Sequence, residues 1–202
     1  MATVFSKTRI ANLALSHIRN KSVIENVDTE SSTEAQSAKL WYDVARQQVL
    51  TDSDWGFARK RLILAEHGDD PPAEWAYRYQ YPVDCVQPRR IENPLGRQKA
   101  PVAFELGFSD NGTQSILANE ADATLIYTRD VEDTSLFTTY FILALSYILA
   151  YYLAGPLTGK KSIQEDMLKL YGTMLGIGEA RDANATAAAT DAPPDAEWIA
   201  ER

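Results

Sequence analysis

SLFTTYFILALSYILAYYLAGPLTG, Ser135 to Gly159, runs twenty-five residues without a charge. Acids precede it (Asp130, Glu132, Asp133) and lysines follow it (Lys160, Lys161). Its length would suit a bilayer, which about 20 apolar residues can span. Its content does not. Thr138, Thr139, Ser146 and four tyrosines (Tyr140, Tyr147, Tyr151, Tyr152) interrupt the run. Tyrosine favours the membrane interface, and Tyr147 would sit near the bilayer centre. Lys160 and Lys161 would hold the C-terminal side in the cytoplasm, so everything before Ser135 would need export. MATVFSKTRI has no apolar run of signal-peptide length. The stretch reads as a helix buried nearly all round, which needs packing partners on most sides.

Those partners are legible on either side. Upstream, a helix is expected from about Lys7 to Asn20, with Ser6 as its cap and Ile10, Leu13, Ala14, His17 and Ile18 on one face. A second follows the capping-box pattern Ser31-x-x-Glu34 and extends to about Leu50. Its stripe is Ala38, Trp41, Tyr42, Ala45, Gln48 and Val49. The uncharged helix is expected to start at Ser135, capped by Asp133 or Thr134, and to stop near Gly155-Pro156. A last helix is expected from about Lys160 to Leu175, with Ile163, Met167, Leu170, Tyr171 and Met174 on its apolar side. Beyond Gly178 the Ala- and Asp-rich sequence loses periodicity and reads as an extended, mobile tail. That tail ends in an apolar pair, Trp198-Ile199.

Between the helical pairs the period changes to two. Trp75, Tyr77, Tyr79 and Tyr81 alternate with Ala76, Arg78 and Gln80, and Val102, Phe104, Leu106 and Phe108 alternate likewise. Ser109-Asp110-Asn111-Gly112 is turn chemistry. Gln114 to Ala118 and Ala123 to Thr128 are further strands. The fold class is therefore α+β: an antiparallel bundle of about four helices with an inserted β-rich unit and an extended C-terminal arm. The expected boundaries are 1–60 for the first helical hairpin, 61–130 for the β unit, 131–178 for the second hairpin and 179–202 for the arm.

Composition narrows the chemistry. At 202 residues, 45% hydrophobic and 24% charged, the chain can bury a real core. Its net charge of -8 argues against tight nucleic-acid binding, which needs a basic face. That also favours a packing role over base stacking for the aromatic strand Trp75 to Tyr81. The lone Cys85 forms no intrachain disulfide and reads as a small buried hydrophobe. GPLTGKKS has three residues between its glycines and a second lysine before Ser162, so it is not a phosphate loop. His17 and His67 share no metal-ligand spacing with Cys85. No nucleophile elbow stands out. Asp69-Asp70 lies in a Pro-rich loop and reads as solvated. These residues give no catalytic, cofactor or metal assignment.

The order of features resembles the head-to-tail adaptor proteins of tailed phages, the neck or tail tubular protein A-like family. The resemblance begins in the two-helix lead ending in LTDSDWGFARKRLILA, with Trp55, Gly56 and Phe57. It continues in YRYQYPVDCVQPRRI, where Tyr81-Pro82-x-Asp84-Cys85 is similar to the family's tyrosine–proline–aspartate strand end. ADATLIYTRDVEDTSLF then leads into the uncharged helix, and DAEWIAER is similar to the family's closing segment. The resemblance spans most of the chain.

The resemblance implies a structural virion protein of the neck or tail, assembled in the host cytoplasm. Such proteins form a homo-oligomeric ring, usually a dodecamer, beneath the portal protein. The ring extends the DNA channel and provides the platform for the next tail or nozzle protein. Genomic DNA passes through without specific binding, and no membrane and no cofactor are involved. Carried over, Pro193, Pro194, Trp198, Ile199 and Arg202 would lie on the portal-docking arm, with Trp198 and Ile199 as anchors. The arm here is acidic (Asp182, Asp191, Asp195, Glu197), where a more basic or glycine-rich one is expected. Trp75, Tyr77, Tyr79, Tyr151 and Tyr152 are the candidates for contacts with neighbouring subunits or the tail. The alternatives are a single-pass or peripheral membrane protein using 135–159, and a small cell-wall-acting hydrolase.

Overall fold

In a computed structural model, which describes residues 5–95 and 100–188, the first helical pair is α1 (Lys7–His17) and α2 (Thr33–Asp52). Ser6 caps α1 by accepting from the Arg9 N–H, and Ser32 caps α2 by accepting from the Ala35 N–H. The expected Ser31/Glu34 box is therefore corrected by one residue. Glu34 does not close on Ser31. It accepts from Asn20 Nδ2 and Ser22 Oγ, tying the α1–α2 loop to the start of α2.

The uncharged stretch becomes α3 (Thr139–Thr158), followed after a turn by α4 (Lys161–Ala188). Thr138 caps α3 through the Phe141 N–H, while Asp133 caps only the short turn Thr134–Leu136 before it. The helix also runs through Gly155-Pro156, where it was expected to stop. Pro156 lacks the N–H that would bond the Tyr152 carbonyl, but so close to the end the loss is small. The stop is Gly159, left-handed at φ 64, whose N–H bonds the Gly155 carbonyl.

α3 packs against α1, α2 and α4. Ten of its twenty residues are buried, and Phe141, Leu145 and Ile148 sit among the other helices as its burial required. It is the one helix among the described residues long and apolar enough to cross a membrane by length and composition.

Among the described residues the inserted unit holds six strands in two antiparallel sheets: β1 (Arg59–Ile63), β2 (Tyr77–Gln80), β3 (Cys85–Ile91), β4 (Phe104–Phe108), β5 (Gln114–Ala118) and β6 (Thr124–Arg129). The sheet orders are β1-β6-β3 and β2-β5-β4. β1 and β3 carry no alternating pattern, since β1 is a charged edge and β3 contains Pro88 and two register shifts. Leu64, Tyr79, Ile91, Ile116, Leu125 and Tyr127 form a core of their own, separate from the helical one.

Two arginines lock sheet to bundle. Arg89 of β3 gives Nη2 to the carbonyls of Leu50 (2.8 Å), Thr51 (3.0 Å) and Ser53 (2.6 Å), and Nε to Thr128 Oγ1 (2.8 Å). A cation thus satisfies the open carbonyls at the C-terminus of α2, where the helix dipole favours it. Arg46 of α2, buried, pairs with Asp130 and donates to the Val131 carbonyl (3.0 Å). Burial opposes its charge, but Asp130, Asp43 and Glu132 outweigh it and keep the guanidinium protonated.

Candidate interaction surfaces

The tyrosines proposed for contact divide by burial. Tyr79 is wholly buried, stacked on Tyr77 with centroids 6.0 Å apart, and its hydroxyl donates to the Glu120 carbonyl. It is a core residue of the β unit and not an interface residue. The register of β2 on β5 turns Tyr79 inward beside Ile116. Tyr77 and Trp75 stay half-buried, with the Trp75 N–H closing a turn on the Pro72 carbonyl.

Tyr152 joins α3 to α2. Its ring lies parallel to Trp41 at 4.6 Å, and its hydroxyl donates to Gln48 Oε1 (2.7 Å). Tyr151 packs edge-on against it at 5.3 Å. Both remain half-buried.

Beside this stack lies a surface that the sequence reading missed. Leu40 is 68% exposed and Val44 48% exposed, one turn apart on α2 and flanking Trp41. They fall outside the stripe that packs on α3. Their i, i+4 spacing was the available signal, hidden because a wider apolar face also satisfies a buried helix. A second open patch lies on β4. Phe104 reaches the β core, but Leu106 and Phe108, on the same face further along the strand, stay exposed. Gly107, on the opposite face, lets the strand close on Leu117, where an added Cβ would come within 3.0 Å.

The polar clusters are structural. Lys60 Nζ donates to Asp84 Oδ2 (2.8 Å) and Tyr127 Oη to Asp84 Oδ1 (2.7 Å). Burial raises the Asp84 carboxyl, and these two donors more than reverse that, holding it below the usual carboxylate range. Cys85 lines a concavity of about 390 Å³ between α2 and β3. Burial pushes its thiol up to about 11, so it is not a thiolate near neutral pH. The Asp69 N–H donates to His67 Nδ1 (3.1 Å), and its carboxylate accepts from the Asp110 N–H (3.1 Å). His17 stacks on Tyr147 at 4.2 Å and meets Ser146 Oγ at 3.0 Å. Among the described residues no group of three or more His, Cys, Asp or Glu could hold a metal.

At the C-terminal end α4 overturns one boundary. The helix continues ten residues past Gly178, so the arm expected from 179 begins no earlier than 189. The sequence signal was masked by Gly172, Gly176 and Gly178, poor helix formers in one stretch. Gly178 is there for packing, because an added Cβ would come within 2.6 Å of the Trp55 ring. Pro193, Pro194, Trp198, Ile199 and Arg202 lie outside the described residues.

Comparison of the chain with protein-family models and with curated proteins gives no match.

Proposed function

We propose that this chain is a head-to-tail adaptor, a subunit that assembles with copies of itself into a ring under a phage portal and carries the tail. The observation that carries the reading is the exposed apolar surface left after two complete cores have closed. Leu40 and Val44 beside the Trp41–Tyr152 stack, and Leu106 with Phe108 on β4, belong to neither core. Apolar patches of this kind on a subunit mark contact surfaces. Lateral contacts in a ring would cover them. The ordered sequence features, from Trp55-Gly56-Phe57 to Trp198-Ile199, supply the family resemblance. The net charge of -8 suits a wall that DNA passes without adhering.

α3 fits this reading better than a membrane span. It is surrounded by three helices and holds His17 and Tyr152 contacts that lipid could not replace. The portal partner would take the segment from Pro193 to Arg202, with Trp198 filling a pocket as aromatic anchors do at interfaces.

Deleting Ala192 to Arg202 tests the arm. The truncated chain should keep its circular dichroism spectrum and melting behaviour while losing co-sedimentation with portal rings. Co-sedimentation equal to that of the full chain would show that the arm is not the anchor.

A further inference from the structure

The β4–β5 hairpin reverses through Ser109-Asp110-Asn111-Gly112. The Gly112 N–H bonds the Ser109 carbonyl (2.9 Å), and the Ser109 N–H bonds the Thr113 carbonyl (2.8 Å). Gly112 is left-handed at φ 75. This is a three-residue hairpin loop in which a turn is followed by a left-handed glycine. Asn111 and Gly112 are both exposed, and nothing lies within 4 Å of where a Gly112 Cβ would stand.

Asn111 stands apart from the other asparagines in two independent respects. It alone precedes a glycine; Leu13, Lys21, Val27, Pro94, Glu120 and Ala185 follow the others. Its side-chain amide is also unheld among the described residues. Asn12 bonds the backbone of Ile24 through both ends of its amide, at 2.8 Å each. Asn20, Asn26, Asn93 and Asn119 each accept a backbone N–H on the side-chain oxygen.

The carbon of an asparagine side-chain amide is electrophilic. The backbone nitrogen of the next residue reaches it by closing a five-membered ring. A side chain on that next residue hinders the approach, whereas glycine offers no obstacle and rotates freely. A hydrogen bond on the side-chain amide would restrain the approach from the other end, and Asn111 has none among the described residues.

We propose that Asn111 is a site of spontaneous deamidation, which converts the tip of this hairpin to an isoaspartyl linkage. The Gly112 nitrogen gives its proton to a solvent base and bonds Asn111 Cγ. The Cγ–Nδ2 bond breaks, and the nitrogen leaves as ammonia with a proton from water. Water then opens the resulting succinimide. Cleavage at the side-chain carbonyl gives aspartate, and cleavage at the main-chain carbonyl gives isoaspartate. The net change is one water taken up and one ammonia released. In the closed turn the Gly112 N–H is held by the Ser109 carbonyl, so the reaction waits for that bond to open, and an exposed loop tip opens at low cost.

The product differs from the parent in shape and charge. Isoaspartate adds a methylene to the main chain between Asp110 and Gly112, which takes the Gly112 N–H out of register with Ser109. Its carboxylate arrives beside Asp110, whose N–H is held by Asp69 Oδ2 (3.1 Å), and like charges repel there. The change lies next to the exposed Phe108, whose carbonyl accepts from Arg78 Nη1 (2.9 Å). None of this rests on the adaptor reading.

The test ages the full chain at mildly alkaline pH, beside an unfolded peptide of residues 108–114. Samples are digested at acid pH and read by mass spectrometry with electron-transfer fragmentation, which separates isoaspartate from aspartate. The expected result is an amide-to-acid mass gain at Asn111 before any other asparagine, with isoaspartate the larger product. Hydrogen exchange should show the Gly112 amide unprotected in the isoaspartyl form. Asn111→Gln, whose longer side chain would have to close a six-membered ring, should abolish the isoaspartate and keep the parent's melting curve. Earlier conversion at another asparagine or aspartate without isoaspartate would overturn the proposal. So would an unchanged Asn111 once the peptide has converted fully, or a Gly112 amide still protected in the isoaspartyl form.

Discussion

Gly178 of α4 lies flat against the ring of Trp55, so close that a Cβ there would stand 2.6 Å from Cη2 and 2.7 Å from Cζ3. Trp55 has no room to retreat. It is 1% exposed, its Nε1–H donates to the Val49 carbonyl at 2.7 Å, and Phe141 meets it edge-on at 5.3 Å.

Gly178→Ala should therefore destabilise the fold by about 1–2 kcal/mol. Overpacking of about 1–3 kcal/mol outweighs the helix-propensity gain of up to about 1 kcal/mol. Gly172→Ala and Gly176→Ala have nothing within 4 Å of the added carbon and should stabilise by up to about 1 kcal/mol. Urea unfolding of the three variants checks the contrast. Equal shifts for all three would mean that Trp55 does not occupy this position.

Arg89→Lys should cost about 1–3 kcal/mol although it keeps the charge. An ammonium cannot reach Thr128 Oγ1 and the three carbonyls at the end of α2 together, so buried acceptors lose a donor. A melting curve, with hydrogen exchange at 50–53, reads both the loss and its location. Unchanged protection at these amides would contradict the clamp.

His17 gives the fold a pH dependence with a definite sign. Burial lowers its folded pKa below the usual 6.5. Ser146 Oγ donates to the Leu143 carbonyl and so accepts from His17 Nε2–H, which suits the neutral ring. The unfolded chain then binds the proton first. The histidine's contribution is full above about pH 6.5 and is lost as pH falls through and below that value. The melting temperature of the parent should drop between pH 7 and pH 5.5, and that of His17→Gln should drop less. Parallel curves would contradict the assignment.

Leu40→Ser with Val44→Ser should change assembly and not folding. Both side chains are exposed in the single subunit, so unfolding should move by no more than about 0.5 kcal/mol. If α2 carries a lateral contact, sedimentation velocity should show a loss of higher-order species at concentrations where the parent forms them. Retention of those species would place the contact elsewhere.

The helical skeleton was legible because periodicity and caps agree over long segments. Ser6 and the α2 stripe are examples, and the uncharged Ser135–Gly159 stretch announced a buried helix through its interrupting tyrosines. Shorter-range competition hid the rest. Ser31 and Ser32 are adjacent candidates for one cap, and only the loop bonds of Glu34 decide between them. Pro156 and the glycines of α4 are helix breakers by propensity, yet packing on Trp55 and the nearby helix end overrides them. β1 and β3 were invisible because an edge strand and a bulged strand need no alternation. Tyr79 and Tyr77 look alike in sequence and share one face of β2, and only the depth of packing beside Ile116 makes Tyr79 wholly buried and leaves Tyr77 half-buried.

The proposed adaptor role is tested most directly by native mass spectrometry of the full chain mixed with a tailed-phage portal ring. A complex of one portal ring with a full ring of this chain, absent when Ala192 to Arg202 is deleted, is the predicted result. Unbound portal at every mixing ratio would contradict the adaptor reading.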